Sequence, residues 1–128
     1  MTTDKTLTRR RLPDERPSTT RGFRLTYLHK DGSSDIMHLY FTVSTYEDGT
    51  PGEIFVKADK TGTLASGALD AVAVMASLML QYGIPLSEVV AKLRHTRYPP
   101  AGFTGDPEFP SCTSPLDLLA QWLTKRFP

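Results

Sequence analysis

The chain has 128 residues, 39% hydrophobic and 23% charged, with one cysteine, Cys112. These values bound it to a single ordinary soluble domain with a modest core, and the lone thiol excludes an intramolecular disulfide and any Cys-rich metal site. The net charge of +1 hides an asymmetry: residues 1–24 carry seven Lys or Arg against three acids, and the rest carries eight against eleven, so a basic arm precedes an acidic body that shows no electrostatic footprint.

Residues 1–21 are polar, rich in Thr and Arg, and interrupted by Pro13 and Pro17. Such a segment cannot bury enough surface to fold alone, so 1–21 reads as a flexible basic arm and 22–128 as the domain. Its cluster of Arg9, Arg10, Arg11 and Arg16 is broken by Pro13, Asp14 and Glu15. Mixed sign and proline favour a tether lying along a partner's surface over a nucleic-acid contact. No apolar run at the N-terminus suggests a secretion signal or a membrane anchor, and a single thiol suits a reducing cytoplasm.

Phe23 to His29 alternates as a strand, and Asp31-Gly32 supplies a hairpin turn. Ile36 to Ser44 continues the alternation, with Met37, Leu39, Phe41 and Val43 opposite Ile36, His38, Tyr40 and Thr42. Turn residues Asp48-Gly49 and Pro51-Gly52 lead into a third strand, Glu53 to Lys57. His38 has no second ligand at metal spacing and reads as a solvated or cross-strand histidine.

Lys57, Lys60, Thr61, Gly62 and Thr63 then connect this strand to a helix. Lysines and a glycine loop ahead of a helix N-terminus can hold an anion, although the spacing matches neither phosphate-loop nor dinucleotide fingerprints, and a threonine N-cap also explains it. Ala68 to Leu80 is apolar apart from Asp70 and Ser77. It is too short to span a bilayer, so it reads as a central buried helix whose polar stripe is Asp70, Ser77 and Gln81. Asp70 on such a helix needs solvent, a cation or a proton; Arg97 is its candidate partner.

Gly83 suits a helix C-terminus, and Leu86, Val89, Val90 and Leu93 mark an amphipathic second helix folding back on the first. Arg94, His95 and Arg97 sit at its negative pole, and Asp70, His95 and Arg97 form a candidate polar cluster. Tyr98 to Cys112 is a Pro- and Gly-rich loop, and Ser114, Pro115 and Asp117 open a last helix. The expected fold is α+β: a three-stranded antiparallel meander, then helices at 63–82, 86–95 and 115–126 packed on one face.

Several phrases of the chain are similar to one known family. They are Arg11-Leu12-Pro13-Asp14-Glu15-Arg16, Tyr46-Glu47-Asp48-Gly49 with Pro51 to Lys57, Leu80 to Leu86, His95-Thr96-Arg97-Tyr98, Gly102 to Glu108, and Ser114 with Asp117, Trp122 and Leu123. In this order they resemble the C-terminal TSCPD domain of adenosylcobalamin-dependent, class II ribonucleotide reductases. Thr113-Ser114-Pro115-Leu116-Asp117 echoes the name-giving motif without a cysteine inside it, so no thiol role passes to Cys112. The resemblance implies a link to deoxyribonucleotide metabolism. It also implies that catalysis, with its redox cysteines, barrel and adenosylcobalamin, belongs to the family's holoenzyme and not to this chain alone. The sequence thus points to an accessory interaction module, pairing with itself or with a reductase catalytic chain. The alternatives are a nucleotide or nucleic-acid binding module using residues 57–63 and the arm, and an independent enzyme, for which no nucleophile–base pair stands out.

Overall fold

The computed structural model describes residues 7–59 and 64–128. Three long strands come first: β1 (Ser18–Leu28), β2 (Ser34–Thr45) and β3 (Pro51–Ala58). They are followed by α1 (Leu64–Gln81), α2 (Leu86–Leu93), the short strands β4 (Gly102–Phe103) and β5 (Ser111–Cys112), and α3 (Pro115–Arg126). The fold is α+β, as expected, with β1 to β3 forming the meander. The sheet is wider than the meander, because β4 and β5 extend it to the order β3-β2-β1-β4-β5.

The strand register explains which side chains are buried. Phe23 stands opposite Leu39, and Leu25 opposite Met37 on β1 and β2; Phe41 stands opposite Val56, and Val43 opposite Ile54 on β2 and β3. All eight are buried, so one face of the sheet is apolar throughout and receives the helices. Phe23 packs tilted on Phe41 and edge-on to Phe109, while Trp122 of α3 lies over Phe41. The other face of β1 to β3 carries Thr20, Arg24, Tyr40, Thr42, Phe55 and Lys57. The strands also outrun their hydrophobic stretches. Ser18 bonds Ser44 and Thr20 bonds Thr42 through their hydroxyls, so β1 starts five residues before Phe23.

α1 corrects one expectation. Ser77 and Gln81 were read with Asp70 as the helix's polar exit, yet only Asp70 is exposed; Ser77 and Gln81 are buried against β3. The Ser77 hydroxyl accepts from the Ile54 N–H at 2.8 Å, and the Gln81 amide donates to the Gly52 carbonyl at 2.9 Å. β3 ends the sheet, and these two side chains satisfy backbone groups that an edge leaves unpaired. Nor is α1 wrapped all round: Val74 and Met75 are 59% and 58% exposed. Its end is sharply defined, because Gly83 at φ +92° lets Gly83 N–H bond Leu80 O and Ile84 N–H bond Met79 O. α2 touches α1 but packs chiefly on α3. No helix among the described residues is long and apolar enough to cross a membrane.

Candidate functional site

The phrases that stand out in the sequence gather into two places. The first is a cleft of about 870 Å³ where the arm, the β2–β3 turn, the α1–α2 junction and the C-terminal residues meet. Gln81 organises it. Its side-chain oxygen accepts from Arg9 Nε at 2.6 Å, its backbone carbonyl accepts from Arg10 N–H at 2.8 Å, and its amide holds Gly52. The buried Tyr46 donates its hydroxyl to the Arg10 carbonyl at 2.6 Å, and the Arg10 guanidinium lies 3.8 Å over the Tyr46 ring. Burial raises the Tyr46 phenol above its usual value, against the pull of Arg10 and Arg9, so it stays a donor. Gly52 is required here, since a Cβ would lie 2.6 Å from the Tyr46 ring.

The arginines read as a partner tether are therefore placed largely against their own domain. Arg9 and Arg10 reach Gln81 and Tyr46, and Arg16 binds Glu53 at 2.7 Å, half-buried; Arg11 is exposed. The cleft is mixed in character: Arg10, Asp48 and Arg126 are exposed within it, while Tyr82 and Ile84, 41% and 40% exposed, stand along its rim beside Pro85, Leu86 and Phe127.

The second place is a polar hub centred on Asp117, 1% exposed at the start of α3. Its carboxylate accepts from the backbone N–H of His95 at 2.7 Å and of Thr113 at 3.1 Å, from Gln121 Nε2 at 3.1 Å, and from the Arg94 guanidinium. Its own N–H donates to Ser114 Oγ at 2.9 Å, which caps the helix. Burial alone would raise this carboxyl, but the N–H groups of His95 and Thr113, with Arg94 and Gln121, hold it below the ordinary carboxylate range. Thr96 completes the ring, its hydroxyl on Ser114 Oγ at 2.7 Å and its carbonyl on Thr113 Oγ1. His95 takes a left-handed conformation, φ 66°, just past α2, which aims its N–H at Asp117. Among the described residues every buried side-chain polar atom has a partner, so the hub is a closed structural network.

The expected cluster of Asp70, His95 and Arg97 is distributed differently. Asp70 is exposed on α1, His95 meets Asp117 through its backbone, and Arg97 borders a shallow pocket with Tyr27, Leu28 and Tyr98. No ion pair joins Asp70 to Arg97 among the described residues. Of the expected anion loop, Lys57 is exposed on β3, while Lys60, Thr61, Gly62 and Thr63 lie outside the described residues. His38 bridges to Asp59 at 3.1 Å. Among the described residues no group of His, Cys, Asp and Glu has metal-site geometry.

Cys112 is buried in β5, and burial pushes its thiol up to about 11. At neutral pH it is a protonated, shielded thiol. Iodoacetamide should leave the native protein unmodified and label it fully in urea; rapid native labelling would contradict that placement.

The TSCPD domain model matches residues 8–127. A vitamin B12-dependent ribonucleotide reductase of Rhodopirellula baltica is 36% identical over 115 residues, 90% of this chain and 10% of that protein. Proteins of the same name from Streptantibioticus cattleyicolor and Bradyrhizobium diazoefficiens are 35% and 38% identical. They cover 93% and 63% of this chain, and 18% and 6% of their own length. The chain thus spans less than a fifth of these curated relatives. No solved structure matches it.

Proposed function

The chain belongs to the TSCPD domain family, and we propose that it is a non-catalytic interaction module of cytoplasmic deoxyribonucleotide metabolism, docking on a larger polypeptide of the vitamin B12-dependent ribonucleotide reductase type. The observation that carries this reading is exposed apolar surface on a domain whose relatives' matched regions make up 10% and 18% of larger proteins: the large apolar side chains of Val74, Met75, Tyr82 and Ile84 face outward along α1 and its end. Apolar surface of that kind, joined to the cleft rim, is what a docked partner covers. The polar hub at the start of α3 supports the same reading, because its buried groups serve one another.

Val74→Asp and Met75→Asp place a charge in the proposed interface. Each should weaken association with a reductase polypeptide lacking its own matching region by about tenfold or more, with the unfolding midpoint unchanged. Unaltered affinity in both variants would remove α1 from the interface. A dimer of this chain broken by either variant would instead assign the face to a second copy.

A further inference from the structure

The sheet face turned away from the helices carries a regular diagonal of side chains. The register sets Thr26 opposite Phe103, Gly22 opposite Tyr40, and both Thr20 and Phe55 opposite Thr42. Moving one strand and two residues at a time, the diagonal runs Phe103 on β4, Arg24 on β1, Tyr40 on β2 and Phe55 on β3. Each such step is about 7–8 Å. The three rings are 66%, 46% and 50% exposed in that order, and Arg24 is exposed between the first two. Lys57 stands directly opposite Tyr40.

The residue beneath Tyr40 defines its posture. A Cβ at Gly22 would lie 3.2 Å from Tyr40 Cε1, so the ring rests over the glycine and offers its other side to solvent. Of the acids bordering the face, Glu53 is paired with Arg16 and Asp59 shares a hydrogen bond with His38 Nδ1. Arg24 and Lys57 enter no ion pair among the described residues.

We propose that this face binds single-stranded nucleic acid, with Tyr40, Phe55 and Phe103 stacking on bases and Arg24 and Lys57 holding the phosphates between them. Tyr40 and Phe55 stand one such step apart, and Phe103 stands two steps from Tyr40 with Arg24 between them. Arg24, Lys57 and threonines stand among the rings, and Leu28 and Ile36 add apolar surface beside Phe103. That alternation matches a polymer of flat units joined by anionic links. The surface is separate from α1 and the cleft, so the inference stands apart from the docking reading.

Fluorescence anisotropy with labelled oligo-dT and oligo-rU of about 12 nucleotides tests it. The intact chain should bind at least one of them, and the comparison distinguishes a DNA from an RNA ligand. Tyr40→Ala and Phe55→Ala, both at exposed positions, should each weaken binding about 5- to 150-fold without lowering the melting temperature. Arg24→Ala and Lys57→Ala should each reduce the slope of log affinity against log salt by about 0.7. Glu88→Ala, on the exposed side of α2, should change neither. Absence of saturable binding to both oligonucleotides at low salt overturns the proposal. So does binding that falls with salt but ignores removal of the rings, which is unspecific charge attraction. Loss of reductase binding in Tyr40→Ala, with neither oligonucleotide bound by the intact chain, would give this face to a protein.

Discussion

Asp117→Ala should lower the unfolding free energy by about 3–5 kcal/mol, read as a shift of the urea midpoint with an unchanged slope. The cost does not come mainly from the ion pair. The Arg94 side chain is 38% exposed, so water recovers much of what it loses. It comes from the backbone: the N–H groups of His95 and Thr113 have Asp117 as acceptor, and alanine leaves both without it. His95 also keeps its left-handed conformation at some cost, offset by that hydrogen bond. Acid dependence gives a second reading. The folded carboxyl titrates below its unfolded value, so its stabilisation is complete above the unfolded value and is lost as pH falls through the folded one. The intact chain should therefore lose stability below about pH 4, and Asp117→Ala should lose less over the same range. Asp31, Asp48 and Asp106 are also held low and keep part of the slope in both proteins. A variant within about 1 kcal/mol of the parent would show that the hub does not hold α2 to α3.

Gly102→Ala should cost about 1–3 kcal/mol, although it adds one methyl group at a half-buried position. The added Cβ would fall 2.0 Å from Thr26 O and 3.2 Å from Tyr27 Cα. Those are backbone atoms of β1, with no side chain to swing aside, so β4 must leave the sheet. Phe103 would move with it, while the Arg21–Asp106 ion pair and Phe109 still anchor the loop's far end. The expected signature is a drop in melting temperature together with faster amide exchange at the β1 edge near Thr26. Unchanged exchange there would mean that β4 is not seated on β1.

What the chain disclosed beforehand follows from the range of each signal. Turns written in adjacent residues were legible: Asp31-Gly32 and Asp48-Gly49 mark both hairpins, and Gly32 and Gly49 have φ of +89° and +85°. Alternation located β1 to β3 but not their full lengths, because Ser18 and Thr20 pair through hydroxyls that carry no hydrophobic period. Strands of two residues, such as β4 and β5, have no period at all. Ser77 and Gln81 looked like a solvent stripe because periodicity places residues on a helix face without saying what that face meets; here it meets a strand edge. The same limit hid the hub. Ser114 and Asp117 announced a helix start, but Arg94 and His95 lie more than twenty positions upstream. Opposite charge made Asp70 and Arg97 natural partners on paper, whereas the carboxylate that gathers a guanidinium and two backbone N–H groups is Asp117. The open face was partly visible, since Ile36, His38, Tyr40 and Thr42 already alternate with the core residues. Its diagonal needed the cross-strand register.

Light scattering of the unmodified chain mixed with a vitamin B12-dependent reductase polypeptide, from which the matching region has been removed, tests the docking account most directly. The account predicts one complex whose mass is the sum of the two chains and which Met75→Asp dissolves, with the isolated chain reducing no ribonucleotide. Two species that elute and scatter independently at micromolar concentration, or ribonucleotide reduction by the isolated chain, would contradict it.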